Sequence, residues 1–191
     1  EELELQGRRG GVEAELAGVQ PLIDQARKAV GQIKKENIDE IRSLKMPPDA
    51  IRDVLEGVLL VLGQEDTSWN NMKKFLGAKA VKDEIVNYDA RKITQDMRNK
   101  VERLMASKGN SFEQQVIYRV SVAAAPLAAW VKANMAYSKV LEKVAPLEAE
   151  LSGLVASLEE SNALIAQYEA ELRECDEAVS TLKQDFAKKT A

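Results

Sequence analysis

The sequence of 191 residues contains no histidine and a single cysteine, Cys175. The absence of histidine excludes a Ser-His-Asp triad, a histidine metal cluster and an HExxH helix within this chain. A single cysteine excludes an internal disulfide framework or a multi-cysteine metal site, and it is typical of a reducing, intracellular compartment. The chain also lacks a GxxxxGK[ST] phosphate-binding loop. We therefore expect no catalytic site, cofactor or metal ion in this chain.

Long apolar runs are missing as well, and aromatic residues make up 5% of the chain. The longest nearly uncharged run, VSVAAAPLAAWV (120–131), has 12 residues, whereas a membrane-spanning helix needs roughly 20. The acidic start EELELQG does not resemble a secretory signal. Because 30% of the residues are charged and 45% are apolar, we expect a soluble, all-α protein that does not contact a membrane.

Apolar residues near the C-terminus recur at alternating steps of four and three, which is the pattern of a coiled-coil seam. Ser161 occupies one position of this seam. The other positions are Leu147, Leu151, Leu154, Leu158, Ile165, Tyr168, Leu172, Cys175, Val179, Leu182 and Phe186. We predict that residues 147–191 form the second strand of a coiled coil. Pro146 stands immediately before this strand and is a candidate hinge.

The N-terminal segment repeats the same pattern, with Val12, Leu16, Val19, Ile23, Ala26, Val30 and Ile33 on the seam. The next apolar residues, Ile38 and Ile41, lie one place beyond the strict repeat. This extra residue predicts a register fault between Ile33 and Ile38, within a first coiled-coil strand of residues 1–46. A harmless local unwinding of the helix is the alternative interpretation.

Residues 47–146 lack the heptad repeat of the flanking segments, and their short amphipathic stretches predict a small helical bundle. The expected helices cover 51–62 up to Gly63, Trp69–Leu76 after a Thr67 or Ser68 cap, the segment from Asp89 to Leu104, a short helix from Ser111 to Val120, and a last helix that continues beyond Pro146. The simplest architecture is an antiparallel two-stranded stalk with this bundle at its tip. We expect a monomeric hairpin taken from a longer chain.

Charge is unequally distributed between the predicted tip and stalk. Residues 47–146 carry 15 basic and 12 acidic side chains, whereas the two flanking segments together carry 12 basic and 19 acidic ones. A basic tip favours docking on an acidic surface, either a protein or a nucleic acid. The same small excess is also typical of ordinary solvated surface.

Four segments have distinctive sequences: SLKMPPDAIRDVLEGVLLVLG (43–63), DTSWNNMKKFLG (66–77), IVNYDARKIT (85–94) and RVSVAAAPLAAWVKANMAYSKVLEKVAPLEAEL (119–151). Together they resemble the stalk and microtubule-binding domain of dynein heavy chains. The shared features are a Pro-Pro helix start, a Trp that opens the next helix, an Arg-x-Ser before an Ala/Pro-containing helix, and a Pro-Leu at the root of the second strand. Within the family, AAAPLAAWVKAN is most similar to cytoplasmic dynein-2, which carries out retrograde intraflagellar transport in cilia.

The resemblance implies that the tip binds the tubulin dimer through basic residues on three helices. Arg52, Lys73 and Arg119 match basic tubulin-contacting positions of the family. Two positions depart from what the resemblance implies for cytoplasmic dynein-1 relatives: Gln115 stands where they have an acidic residue one turn before Arg119, which leaves Glu113 as the nearest acid, and Ala78 stands where they have an Arg. Lys79, displaced by one residue, or Lys74 is the substitute that we expect for that Arg.

The resemblance also implies that the two coil strands slide by half a heptad and so relay the ATP state of a distant AAA+ ring to the track. In this chain we expect Val30, Ile33, Ile38 and Ile41 to move past Val140, Val144, Leu147 and Leu151. The movement would reposition the first tip helix through Pro47 and Pro48. The parent motor would be the ATPase, with its sites outside this chain.

Two other functions fit a helical hairpin. A nucleic-acid-binding arm, as in the tRNA-binding arms of some synthetases, requires a basic coil face, whereas these arms are acidic and carry few aromatic residues for stacking. We therefore expect no nucleic-acid partner. A dimerising hinge would make the tip self-associate, and gel filtration with light scattering would detect the dimer.

Overall fold

Most residues are helical in this computed structural model, which describes residues 2–190 and the side chains of residues 10–189. The α-helices are α1 (Glu2–Gly31), α2 (Lys35–Ser43), α3 (Asp49–Val61), α4 (Trp69–Leu76), α5 (Val81–Val86), α6 (Gln95–Ser107), α7 (Gln114–Val120) and α8 (Ala124–Thr190), with two 3-10 helices at Ala90–Lys92 and Gly109–Phe112. No strand occurs among the described residues. The all-α fold class is confirmed.

The chain divides into two compact units, Glu1–Val144 and Ala145–Ala191. In the described part of the second unit the chain is a single helical stretch, the C-terminal part of α8, and Pro146 lies inside that helix. Its heptad side chains are exposed, for example Leu158 at 62% and Leu182 at 68%. Helix formation therefore agrees with the heptad pattern in this unit. The proposed boundaries of tip and stalk at 46/47 and 146/147 stay predictions.

Helix α1 buries the seam that its sequence predicts. Ile23, Ala26 and Val30 are buried, and the earlier seam residues Val12 and Leu16 are half-buried. The described residues also include an ion pair between α1 and α8, in which Lys143 Nζ lies 2.9 Å from Glu15 Oε2. This pair places the N-terminal part of α1 beside Lys143, near the C-terminal end of the first unit.

The predicted register fault is a complete break between two helices. Helix α1 ends at Gly31, α2 begins at Lys35, and Ile33 N donates to Val30 O at 3.1 Å in the connection. One extra residue would rotate the apolar stripe by about 100° in a continuous helix. The break removes this rotation, because Ile38 and Ile41 are buried in the same core as Val30 and Ile33.

The expected partners of this stripe were wrong. Val30, Ile33, Ile38 and Ile41 line one small apolar cavity together with Leu76, Val81, Ile85, Ala123 and Leu127. They therefore face the beginning of α8 and the bundle helices α4 and α5, not Val140 and Val144. The Glu15–Lys143 pair gives the reason, because Val30 lies fifteen residues beyond Glu15, about 22 Å further along the helix axis.

Helix α3 is the centre of the bundle, as its apolar spacing predicts. Val54, Leu55, Val58 and Leu59 are almost completely buried. The helix is followed by Gly63, whose φ of +77° lies in the left-handed region that a side chain disfavours. The predicted end of this helix and the Ser68–Gly77 limits of α4 are confirmed.

Two local predictions in the bundle were wrong, and one helix was not predicted. Asp89 caps the 3-10 turn at Ala90–Lys92, where its side chain accepts from Arg91 N, and α6 begins only after Thr94. Ser111 does not begin a helix because its hydroxyl donates to the buried Asp53 Oδ2 at 2.6 Å, so α7 starts at Gln114. Helix α5 was not predicted, because only two of its six residues, Val81 and Ile85, are buried.

Helix α6 is attached to α8 by a buried arginine. Arg98 is 7% exposed and donates to the carbonyl and hydroxyl oxygens of Ser138 at 2.9 and 2.7 Å, and to Gln95 Oε1 at 2.6 Å. Its Nη2 also lies 3.2 Å from Glu142 Oε2. These contacts fix the bundle to the residues of α8 that immediately precede the second unit.

Candidate functional site

The first candidate contact, Arg52, lies in the first turn of α3. Pro48 precedes this helix in an extended conformation, and its carbonyl accepts from Ile51 N at 3.0 Å and Arg52 N at 3.2 Å. Ile51 and Asp53 are buried on either side, whereas Arg52 is exposed. The Pro-Pro start therefore positions a cationic side chain in solvent at a fixed helix terminus.

The second candidate, Lys73, lies on α4 beside Trp69. Its Nζ is 6.0 Å from the centroid of the Trp69 ring, within cation–π range. Trp69 Nε1 in turn donates to Leu44 O at 3.3 Å, which attaches α4 to the end of α2. Ser68 caps the helix by accepting from Asn71 N at 3.3 Å. The Trp that opens this helix therefore orients both the lysine and the neighbouring helix.

Lys74 and Lys79 lie at and just beyond the end of α4. Lys74 is in the last turn, where a cation is favourable near the helix C-terminus, and it is exposed. Gly77 ends the helix beneath Arg42 of α2, since a Cβ at this position would lie 3.0 Å from Arg42 Nη2. Ala78 and Lys79 follow in an exposed turn. Either lysine can present a charge near Ala78, where the resemblance led us to expect a basic contact.

Arg119 occupies the last turn of α7 and is exposed. Helix α7 is anchored through Ile117, its only buried residue. Glu113, the acid nearest in sequence, lies 3.9 Å from Lys132 Nζ of α8. Within residues 10–189 no ion pair restrains Arg119, and Gln115 is exposed. The arginine is therefore available to an acidic partner.

A groove of about 290 Å³ connects Arg119 to the start of α3. It is lined by Asn37, Glu40, Ile41, Leu44, Pro48, Ile51, Tyr118, Arg119, Val120, Ser121, Val122 and Ala123. The groove brings Arg119 together with Pro48 and with the residue beside Arg52. Lys73 and Lys74 lie on α4, which contacts both α2 and α3. The structure thus places Arg52 on α3, and Lys73, Lys74 and Arg119 on two helices, α4 and α7, that each pack against α3.

An acidic cluster lies behind Arg52 on α3. Burial, followed by the charge of Asp53, raises the pKa of Glu56, while Arg52 and Lys108 act in the opposite direction. Lys108 Nζ is 4.0 Å from Asp53 Oδ1. The electrostatic potential at Arg52 is therefore lowered by carboxylates on its own helix.

Exposed apolar side chains adjoin the groove and were missed by sequence reasoning. Tyr118 and Val122 are each 57% exposed, and Met46, just before Pro47, is 91% exposed. Of the apolar residues in α7, only Ile117 is buried.

The candidate hinge residues lie in different places. Ile33 and Ile38 are 7% and 9% exposed and flank the α1–α2 break. Pro47 is half-buried between α2 and α3, and Pro48 is the N-cap of α3. Pro146 belongs to the second unit. The structure brings Ile33 and Ile38 together at one cavity.

The described residues contain no group of three or more acidic or cysteine side chains placed to hold a metal ion. None of the helices in the described part of the chain is long and apolar enough to cross a membrane. The arrangement is a partly apolar groove lined by Arg119, with the other candidate cations on and just beyond the neighbouring helices α3 and α4, and it suits the binding of a folded acidic partner.

Comparisons with known proteins identify the family to which this chain belongs. The family model for the microtubule-binding stalk of dynein motors matches residues 2–191. Cytoplasmic dynein 2 heavy chain 1 of Chlamydomonas reinhardtii is 68% identical over 100% of this chain, and that of Caenorhabditis elegans is 49% identical over 97%; the chain spans 4% of either relative. The solved microtubule-binding domain of dynein-c has 30% identity and a TM-score of 0.60, covering 71% of this chain and 94% of that one.

These matches confirm the resemblance to the dynein heavy chain and to its cytoplasmic dynein-2 members. The family model covers nearly every residue, and the high identity extends along the whole chain. The solved relative shares the fold of the larger part of the chain. The chain therefore belongs to the family of microtubule-binding stalks of dynein motors.

Proposed function

We propose that this chain binds the tubulin dimer through the exposed face formed by the start of α3, the end of α4 and the end of α7. The contacting cations are Arg52, Lys73, Lys74, Lys79 and Arg119. The observation that carries the proposal is the groove that joins Arg119 to Pro48 and Ile51, since it assembles this face from separate parts of the sequence.

Charge and shape both support this face. Tubulin presents an acidic surface, so exposed arginines and lysines increase the association rate and make binding salt-dependent. The exposed Tyr118 and Val122 add an apolar contact that salt does not screen. The combination matches a protein interface with an apolar centre and a charged rim.

A co-pelleting experiment tests this surface. The purified chain is sedimented with paclitaxel-stabilised microtubules over a salt series, beside an Arg52→Glu/Arg119→Glu variant. A matched control reverses two exposed arginines outside the surface, Arg91→Glu/Arg103→Glu, and so changes the net charge equally. We expect binding to fall by about tenfold or more in the first variant, because two rim charges at about 1 kcal/mol each are reversed.

The outcome of the control decides between a local surface and overall charge. If both double variants lose binding equally, the contact surface assigned to Arg52 and Arg119 is wrong. If the parent chain stays in the supernatant at low salt in every coiled-coil register, microtubule binding itself is contradicted.

We further propose that residues 1–46 and 147–191 are the two strands of the stalk and that residues 47–146 are its tip. Their register relays the ATP state of an AAA+ ring in the remainder of the heavy chain, where ATP hydrolysis takes place. The heptad pattern of both segments supports a coiled coil. The α1–α2 break supports a switch, because a relay over this distance needs an element with two arrangements.

The parent protein that we propose is a cytoplasmic dynein-2 motor. Its place would be the cytoplasm and the cytoskeleton, and its task retrograde intraflagellar transport in the cilium. The proposal is supported by the high identity to cytoplasmic dynein 2 heavy chains along the whole of this chain. Fluorescent tagging of the parent heavy chain tests it, since a protein that never enters cilia does not carry out this transport.

A further inference from the structure

The C-terminal end of α1 is held to the bundle by a lysine from α5. Lys82 Nζ donates to Ile33 O at 3.0 Å and to Gly31 O at 3.4 Å. Both carbonyls lie where the helix stops, and carbonyls at a helix C-terminus lack their usual intrahelical donors. A half-buried cation from another helix supplies the donor here, across 49 residues of sequence.

A second bond runs in the opposite direction, from α1 to the bundle. Arg27 Nη2 donates to Tyr88 O at 2.8 Å, just beyond α5. Tyr88 is itself fixed, because its hydroxyl donates to Val61 O at 2.6 Å and its ring meets Trp130 edge-on at 5.8 Å. Through Arg27 and Lys82, the axial position of α1 is therefore tied to α3 and α8.

These bonds are compatible with only one axial position of α1. A half-heptad shift moves the helix by about 5 Å along its axis. Such a movement takes Gly31 O and Ile33 O out of hydrogen-bond range of Lys82 Nζ, since hydrogen bonds end near 3.5 Å. The bonds that Lys82 and Arg27 make must break when α1 changes register.

In the axial position of α1 that these bonds stabilise, one buried polar atom lacks a hydrogen-bond partner in the described part of the chain and the packing leaves a small cavity. Arg27 Nε is buried and has no hydrogen-bond partner within the described residues. A cavity of about 10 Å³ lies under the break, between Ile33, Ile38 and Leu127. An unpaired buried donor and imperfect packing both cost free energy. They reduce the advantage of this position over a second one, as a two-state element requires.

We propose that Lys82 and Arg27 form a latch that holds α1 in the register of this structure. Lys82 is then a positioning residue for microtubule binding, because it acts through the α1–α2 break and not by touching tubulin. The part of the proposal that concerns binding rests on the proposed function. The latch itself is a property of the isolated chain and can be measured without microtubules.

Crosslinking measures the register directly. Glu15 and Lys143 are both exposed, and their charged groups meet at 2.9 Å in this register. In a Cys175→Ser background, Glu15→Cys and Lys143→Cys are joined by a short bismaleimide. We expect Lys82→Gln to slow crosslinking about threefold or more, because the latched population falls when a charge-assisted bond is lost.

Two further variants control this measurement. Lys92→Gln removes an exposed lysine outside the latch and should crosslink like the parent chain. Lys82→Arg keeps the cation and should restore the rate. An unchanged crosslinking rate in Lys82→Gln overturns the latch. Equal slowing by Lys92→Gln overturns it too, because the effect then follows from net charge.

Microtubule affinity provides the second readout. In the chain without crosslink, Lys82→Gln should change the Kd for microtubules about threefold or more, since it shifts the register population. Once the 15–143 crosslink is in place, the parent and the variant should bind equally. If the variant differs from the parent by the same factor in the crosslinked chain, Lys82 is a direct contact and the positioning role is wrong.

Failure of the latch and failure of the proposed function remain distinguishable. If crosslinking responds to Lys82→Gln but none of the chains binds microtubules, the latch stands and the proposed function is contradicted. If the chains bind microtubules but crosslinking does not respond, the proposed function stands and the latch is wrong.

Discussion

At the scale of single residues, Tyr88 shows how one side chain can connect three elements. Its hydroxyl donates to Val61 O at the end of α3, its ring packs on Trp130 of α8, and its carbonyl accepts from Arg27 of α1. Burial, followed by the charge of Asp89, raises the pKa of Tyr88 to about 12. The neutral phenol is therefore the form that the folded state prefers.

This preference makes stability depend on pH in the alkaline range. The pKa of Tyr88 is about 12 in the folded chain and 10.0 without the fold, so its contribution is complete below pH 10 and is lost as the pH rises towards 12. Urea unfolding of the parent chain and of Tyr88→Phe, compared between pH 9 and pH 12, measures it. The free energy difference between the two should shrink over this range, and a constant difference would contradict the assignment.

At the scale of helices, the glycine in α3 has a packing reason that a helix-propensity scale does not contain. A Cβ at Gly57 would lie 3.1 Å from Cε1 and Cζ of Phe112 and 3.4 Å from Cγ1 of Val131. Phe112 is 2% exposed, so its ring has little room to move. Gly153 in α8 provides the contrast, because a Cβ there would meet nothing within 4 Å.

The two glycines should therefore respond oppositely to alanine. Gly57→Ala is expected to lower the free energy of unfolding by about 1–2 kcal/mol, because it overpacks the site. Gly153→Ala should stabilise its helix by about 0.5–1 kcal/mol, because alanine is the better helix former. Thermal unfolding followed by circular dichroism checks both, and a stabilising Gly57→Ala would show that Phe112 can move aside.

Helices with strong local signals could be predicted from the sequence. The Pro48 start, the Ser68 cap and the Gly63 and Gly77 ends have a local chemical cause, and α3 and α4 form where that chemistry predicts them. Ser111 could not be assigned in this way, because its hydroxyl donates to Asp53, which is 58 residues away. The α1–α2 break lies between these cases. The extra residue in the heptad repeat could be seen in the sequence, but whether it produces a bend or a complete helix break depends on tertiary contacts.

At the scale of the whole molecule, the candidate surface depends on long-range packing. The basic residues were predicted from the resemblance, whereas the groove that joins α2, α3 and α7 arises only when those helices meet. The exposure of Tyr118 and Val122 could not be predicted either, since apolar residues in an apolar run are expected to be buried. Charge alone was a weak guide, because the predicted tip has only three more basic than acidic residues.

The central claim is that the start of α3, the end of α4 and the end of α7 face the microtubule. A cryo-EM reconstruction of the chain bound to microtubules tests it most directly. The account predicts that Arg52 and Arg119 lie at the tubulin surface, while Arg91 and Arg103 point to solvent. A reconstruction in which α6 faces tubulin and the groove between α2 and α7 is open to solvent would contradict it.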